Sequence, residues 1–339
     1  MPKFDFDAVQ LGHGSGGILS YKLLETGVFN ILANDKLNEK HDGAYFEATG
    51  RMAFSTDSFV VQPLFFPGGN IGELAIYGTV NDLAMCGAMA KYISLSFILE
   101  EGLPMEQLWQ IMHSIKAACD RAGVQVITGD TKVVEKGKGD GIFINTSGIG
   151  VVHEKADISM YRVKPGDTIL CSGMLAQHGI AIMSKRNGLE FDTDVVSDTA
   201  PLNQSVKKLL DCAGGKIHFL RDATRGGVAS VLNELAKDAV LGIEINEKDL
   251  QLEEQVAGAC EMLGLDPLYV ANEGKFLAVV DASVADICLS VLKEDEFGRH
   301  ASIIGKVKDE HNGQVLMKSR IGGRRVVNML PGEQLPRIC

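Results

Sequence analysis

The sequence predicts an α/β protein with α+β-like mixed sheets, divided into two domains. Three observations carry this reading. At 339 residues the chain is longer than one ordinary core accommodates. Short β-branched and aromatic runs alternate with helical apolar periodicity in both halves, without steady βαβ repetition. The alternation breaks near residues 154–166, where a polar stretch meets the Pro-Gly-Asp turn signal of "YRVKPGDTI".

Taken in order, Met52–Val61 (MAFSTDSFVV) reads as the first strand, with Asp57 near its middle. A helix follows from about Ile71. Its Ile71, Leu74, Ala75, Gly78 and Asp82 recur at helical spacing, which puts Asp82 on or beside the packed face. "KYISLSFIL" is a strand, and "PMEQLWQIMHSIKAACDRAG" is a helix with Pro at its start and Gly at its stop. "VQVITGDTKVV" is a strand running into a polar turn, and "GIFINTSGIGVV" is another strand. Beyond the linker come a strand (DTILCSG), helical segments, "FLRDATRGGVASVLNELAKDA", "GIEI" and a helix near 253–263. "YVANEGKFLAVV", a helix near 283–292 and "SIIGKV" complete the series.

Charge narrows the function classes. The 33 basic residues against 44 acidic ones leave a net charge of −11, which disfavours sequence-independent binding to nucleic acid or to an anionic membrane. Seven cysteines stand singly, with no CxxC and no paired histidines. Neither a disulfide framework nor a structural zinc site is expected, and a reducing cytoplasm fits. The N-terminus lacks a signal-peptide pattern, and no run approaches 18 apolar residues.

Two glycine-rich stretches invite a ligand. "GHGSGG" at 12–17 satisfies GxGxxG, and "FDFDAVQL" followed by "ILSYKLLETGVFNIL" could supply the flanking strand and helix. The dinucleotide reading fails at the next step, because "ANDKLNEKHDGAYFEATG" is polar where the return strand belongs. A flexible loop, or one whose glycine amides cover a phosphate with help from His13, remains open. "RDATRGG" at 221–227 is expected to open a helix, with Asp222 and Thr224 as capping types and Gly226–Gly227 letting a ligand approach. An ordinary capped helix explains the same residues.

The acids add what the glycines do not. Asp57, Asp82, Asp130 and Asp222 each interrupt apolar surroundings. Buried carboxylates are costly unless paired or bound to metal. Converging, they would suit Mg²⁺, which prefers oxygen ligands shared with substrate phosphates. Taken singly, a cap or a paired surface acid is the better reading of each, and only the combination favours a metal.

"HGSGG", "FSTDSFVV…PLFFPGGNIGELAIYGTVNDLAMCGA", "FILEEGLP", "TGDTKVV", "INTSGIG", "LRDATRGGV", "ANEGK" and the closing "LPRIC" occur in this order across the whole chain. Together they resemble the HypE family of carbamoyl dehydratases from [NiFe]-hydrogenase maturation. That family lies within the PurM-like group, with aminoimidazole ribonucleotide synthetase and selenophosphate synthetase. "DATRGG" is shared across the group, whereas a terminal "PRIC" is specific to the HypE family.

The resemblance implies a PurM-like two-domain architecture, with the N-terminal domain dimerising and the C-terminal domain packing over an ATP cleft. The expected divisions are a Gly-rich segment with a phosphate-covering loop (1–40), an N-terminal ATP-binding and dimerisation domain (41–155), a C-terminal domain (156–330) and a flexible tail (331–339). Asp57, Asp82, Asp130 and Asp222 match the metal–phosphate acids. His13, Ser15, Gly16 and Gly17 match the phosphate-covering loop. Asn81, Thr131, Lys132, Thr224, Asn272 and Glu273 fall in motifs around the nucleotide. The implied cofactors are ATP and Mg²⁺. The implied partners are a second copy, a HypF-like carbamoyltransferase and an iron scaffold resembling a HypC–HypD complex.

The implied chemistry is carried by Cys339, the last residue of the sequence. Its thiol receives a carbamoyl group, and ATP-dependent loss of water leaves a thiocyanate, the cyanide donor for the hydrogenase iron. The amide oxygen attacks the γ-phosphate, and the iminophosphate formed then loses phosphate readily. Lys132 is expected to neutralise charge. Glu273, in a polar "ANEGK" turn expected after a strand, is the candidate base, with His13 as runner-up. Pro331 and Pro336 favour an extended arm of up to roughly 30 Å, and Arg337 could dock it. Two other readings share the acids: a selenophosphate-synthetase-like phosphotransferase and a non-catalytic ATP-gated carrier. The former usually places its reactive Cys in the N-terminal glycine loop, where this chain has none.

Overall fold

The computed structural model describes residues 5–15, 17–41, 43–188, 195–330, 332 and 338. A 3-10 turn at Leu11–Gly14 leads into helix α1 (Ile18–Leu23), which continues as a π-helical turn at Leu24–Phe29. There follow β1 (Met52–Phe59), the two-residue strands β2 (Phe65–Phe66) and β3 (Gly69–Asn70), and α2 (Ile71–Met85). Then come β4 (Ala88–Glu100), α3 (Met105–Ala122), β5 (Gln125–Val134) and β6 (Ile142–Val152). Strands β1, β6, β4 and β5 form one sheet in that order, with only the β4–β5 pair parallel.

The second half contributes β7 (Thr168–Cys171), α4 (Gln177–Asn187), α5 (Asn203–Ala213), β8 (Ile217–Asp222) and α6 (Gly227–Asp238). It continues through β9 (Gly242–Asn246), α7 (Glu254–Leu263), β10 (Phe276–Val280), α8 (Ala285–Lys293), β11 (Ser302–Lys308), β12 (Val315–Lys318) and β13 (Arg324–Val327). These strands make a seven-stranded sheet in the order β13-β12-β9-β11-β7-β10-β8. Two apolar clusters cover it, one holding α6 and α7 residues such as Leu232 and Val256, the other α5 and α8 residues such as Leu209 and Leu292. The mixed α/β class expected from the alternating pattern is present, and β2 and β3 pair as a small third sheet.

Local chemistry accounts for the helices that frame the seam. α3 starts after Pro104 and stops at Gly123, which takes a left-handed φ of 72°. Its buried Leu108, Ile111, Met112, Ile115 and Cys119 recur at three and four residues, giving one apolar stripe. α2 is capped by Asn70, whose side chain accepts from the Gly72 amide at 2.9 Å. Unlike α3 it is buried nearly all round, because the four-stranded sheet, α3 and the second half of the chain all pack on it.

Several sequence expectations are corrected. β5 does not turn at "TGDTK" but runs as strand through Asp130 and Lys132 to Val134. "RDATRGG" does not open a helix at Asp222: that residue ends β8, and the helix begins at Gly227 after Gly226, whose φ is 71°. The left-handed turn re-aims the chain, so neither Asp222 nor Thr224 caps it. "ANEGK" precedes strand β10 rather than following one, and Glu273 is buried rather than solvated. "FDFDAVQL" forms no strand among its described residues beyond an isolated bridge at Ala8. β12 and β13 had no counterpart in the sequence reading. Pro331, Pro336, Arg337 and Cys339 lie outside the described residues, while Ile338 is buried.

The halves are joined through Asn81 on α2. Its side-chain amide donates to the carbonyls of Ala200 (3.0 Å) and Glu273 (3.2 Å), and its oxygen accepts from the Leu202 amide at 2.7 Å. All three partners belong to the second half, and Asn81 is only 1% exposed. Asn81→Ala would strand two carbonyls and an amide in a buried seam. It is expected to destabilise the protein by about 2–4 kcal/mol in urea unfolding; a loss below about 0.5 kcal/mol would show that the seam does not depend on this side chain.

Candidate functional site

A cavity of about 560 Å³ opens at the seam, lined by Ser55, Asp57, Asp82, Asp222, Thr224, Arg225 and Glu273 among others. Asp57 comes from β1, Asp82 from α2 and Asp222 from the end of β8. Glu273 stands just before β10, which pairs with β8 so that Phe276 opposes Asp222. Two segments of the first half and two of the second thus converge on one volume.

The carboxylates disturb one another. Burial pushes Asp82 upward, with the Asp57 charge adding to it, while a 2.7 Å hydrogen bond from the Ser55 hydroxyl partly offsets both. Asp222 is raised to about 7, by desolvation first and then by Asp82 and Asp57. Glu273 is raised well above the carboxylate range, by burial first, then by Asp198, Asp222, Asp57 and Asp82. Its Oε1 is buried with no hydrogen-bond partner. Four acids in one cavity, with an orphaned buried oxygen, form a donor set that fits a hard divalent cation. Arg225 reaches Asp57 at 3.4 Å and is otherwise largely exposed.

Asp130 does not join them within one chain. Across the sheet Ser58, Asn145, Ser96 and Asp130 form one register row, so Asp130 lies three strand spacings, roughly 14 Å, from β1. Asp57 pairs with the buried Thr146, which bonds to Ala75 of α2; Asp130 lies in the row of exposed Asn145, on the opposite face. There Asp130 bonds to the Thr131 amide and pairs with Lys132 at 3.2 Å.

A second cavity of about 260 Å³ gathers His13, Gly14, Asp130, Thr131 and Lys132, together with apolar residues including Phe29, Leu95 and Phe97. The "GHGSGG" turn lies directly on β5: a Cβ at Gly14 would come within 2.5 Å of the Val133 backbone nitrogen. His13 is buried, its Nδ1 accepts from the Gln10 amide, and burial lowers its affinity for protons. Ser15 bonds to the Gly12 carbonyl and is exposed; Gly17 precedes α1, and Gly16 lies outside the described residues.

Asn272 and Asn81 turn out to be braces. Asn272 is fully buried, accepts from the Ala176 amide and donates to the carbonyls of Ala223 and Val270. With Asn81 it fixes the backbone around Glu273. Sequence reasoning missed Asp198, which accepts from the amides of Glu273 and Gly274 and lies 3.5 Å from Lys275. The only signal was an acid in the apolar stretch "VVSDTAPL". Ser55 and Arg225 were also unread, because their roles depend on elements distant in sequence.

Comparison with known proteins adds to this geometry. The family model for the N-terminal domain of AIR synthase related proteins matches residues 40–152, and that for their C-terminal domain matches 164–318. The carbamoyl dehydratase HypE of Rhizobium leguminosarum bv. viciae is 49% identical over 333 residues, covering 98% of this chain and 95% of its own. The chain belongs to the HypE family. A solved structure of the hydrogenase maturation protein HypE in complex with ATP superposes with a TM-score of 0.94 at 46% identity, covering 97% of this chain and 99% of that one. HypE in a HypE–HypF complex superposes at 0.81, with 46% identity and coverage of 91% and 99%. The HypE fold is therefore present over essentially the whole length, and among the described residues no helix is long and apolar enough to cross a membrane.

The raised acids make stability depend on pH with a definite sign. A carboxyl whose folded pKa exceeds its unfolded value binds more protons when folded, so stability falls as pH rises between the two. For Asp222 that window runs from about 4 to about 7, with Asp82 and Glu273 shifted the same way. In chelator-treated protein, stability is expected to fall from pH 5 to pH 7.5, and Asp222→Asn to flatten the slope. Parallel urea titrations at the two pH values check this; an unchanged slope in the variant would remove Asp222 from the cluster.

Proposed function

We propose that this protein is an ATP-dependent carbamoyl dehydratase that converts a carbamoyl group on its own Cys339 into a thiocyanate for hydrogenase maturation. The observation that carries the reading is the convergence of Asp57, Asp82, Asp222 and Glu273 in one cavity, in a chain whose HypE relatives match it end to end. The net reaction takes S–C(=O)–NH2 and ATP to S–C≡N, ADP and phosphate. Asp57, Asp82 and Asp222 would hold Mg²⁺, which supplies charge neutralisation for the phosphates.

The chain's own residues supply the rest. The amide oxygen attacks the γ-phosphate, after which both N–H protons must leave for the C≡N bond to form. Glu273 is the proposed acceptor. In the cation-free cluster burial and repulsion push its pKa well above the usual carboxylate range; neutralising its acidic neighbours would bring it back down and favour its action as a base. The Asn81 and Asp198 contacts to its backbone hold it in place. Lys132 and His13 belong to the other cavity, which supports a phosphate-side role rather than that of the base.

The same reading includes a homodimer, a HypF-like carbamoyl donor, a HypC–HypD-like iron scaffold and a cytoplasmic setting, with domains at 41–155 and 156–330. The open face of the four-stranded sheet supports the dimer: Phe54 is 68% exposed, and Met52 and Ile98 are also uncovered. Asp130 lies on this face. Two sheets packed face to face about a two-fold running along the strands would set each β5 edge beside the partner's β1 edge, bringing Asp130 of the partner subunit toward the acid cluster.

Intact-mass analysis with ATP, Mg²⁺ and the carbamoyl donor tests the reaction. Parent protein is expected to gain one carbamoyl group and then lose one water. Cys339→Ala should gain nothing while still binding ATP. Glu273→Gln should be carbamoylated yet dehydrate about 10²–10⁴-fold more slowly. A carbamoyl group retained unchanged by the parent would favour the carrier reading. For the shared site, Asp130→Ala and Asp222→Ala should each be inactive alone, while randomly paired mixed dimers recover about a quarter of parent activity. Mixed dimers that stay inactive would return Asp130 to its own chain's site.

A further inference from the structure

His178 sits on α4, fully buried, and plays no part in the acid cluster. Its Nε2 lies 2.6 Å from the carbonyl oxygen of Ile338, and its Nδ1 lies 2.8 Å from the hydroxyl of Ser197. A carbonyl can only accept, so Nε2 carries the proton, and the neutral ring's Nδ1 accepts from Ser197. Burial favours that neutral form. Ser197 is itself braced: its amide donates to the Pro67 carbonyl at 2.9 Å, and its hydroxyl lies 2.7 Å from that of Thr199. The ring is also held edge-on by Phe66, at a centroid distance of 5.5 Å.

The Ile338 side chain is 5% exposed and joins the apolar cluster that includes Phe66, Ile182 and Ala271. Its backbone and its side chain are therefore both held, and its carbonyl carbon is the atom bonded to the nitrogen of Cys339. The residue after Ser197 is Asp198, which accepts from the Glu273 amide at 3.1 Å. Two consecutive residues thus tie the group holding the penultimate peptide to the backbone of the proposed base.

We propose that His178 is a positioning residue that grips the Ile338 carbonyl and so presents Cys339 for dehydration. The role in dehydration rests on the reading of Cys339 as the carbamoyl carrier; the grip itself does not. One neutral hydrogen bond and one apolar side chain suit a segment that must also leave to meet a donor and an acceptor. An ion pair in the same buried seam would be harder to release and reform.

The test reads accessibility and turnover separately, on the full chain. Peptide-resolved iodoacetamide labelling should reach Cys339 about five- to tenfold faster in His178→Ala than in the parent. Labelling of Cys212, an exposed thiol elsewhere, should stay unchanged. His178→Gln, which retains an Nε2–H donor, should restore most of the protection. On carbamoylated protein, single-turnover dehydration should fall by a similar factor in His178→Ala and recover in His178→Gln, with ATP affinity unaltered. Equal labelling of Cys339 in parent and His178→Ala overturns the proposal, as does a general rise that includes Cys212. Faster labelling with undiminished dehydration overturns the positioning role. If the parent itself dehydrates nothing while His178→Ala still labels faster, the grip stands and the dehydratase reading falls.

Discussion

Four carboxylates that repel one another meet where the two sheets join, and much of the surrounding structure serves to hold them there. Asp82, Asp222 and Glu273 each pay for burial, and the charge of Asp57 adds to the cost of all three. Such a cluster persists only if its backbone is over-determined. α2 supplies much of that constraint. It is buried nearly all round, carries Asp82 into the cavity and, one residue earlier, turns Asn81 to bridge the second half of the chain. The adjacent Asn and Asp of "VNDLA" therefore divide two tasks, seam and site.

The bracing runs through backbone groups more than through side-chain pairs. Asn81, Asn272 and Asp198 between them bond to the amide or carbonyl of residues 176, 200, 202, 223, 270, 273 and 274. Glu273 lines the cavity itself, and Asp222 and Thr224 line it on either side of residue 223. A loop crossing a buried seam must satisfy its polar groups somewhere, and here buried amide and carboxylate side chains do so. Ile338 docks at the edge of the same network through His178 and Ser197. The chain thus brings Ile338 into the region that the seam stiffens.

Periodicity made most elements legible. α3 was delimited by Pro104 and Gly123, and α2 by its apolar repeat, because these signals act within a turn or two of chain. The errors fell where local signals compete with pairing. "TGDTK" looks like a turn, yet β4 lines up residue by residue with β5 through Asp130, and the ladder prevails. "ANEGK" looks solvated, yet the seam closes over Glu273. β12 and β13 close the far edge of the sheet through the parallel pairing of β12 with β9, a contact between segments some seventy residues apart.

By itself, the sequence determined the class of fold, the order of its motifs and the membership of Asp57, Asp82, Asp222 and Glu273 among residues of interest. Those properties reside in residue type and spacing, which a linear reading captures. Tertiary structure alone decided which acids share a cavity, that Asp130 lies across the sheet from them, and that Asn81 and Asn272 serve as braces. It also brought His178 onto the carbonyl of Ile338, 160 residues away. Each of these is a matter of distance and burial between distant segments. Such facts exist only once strand register and the packing of α2 have been set.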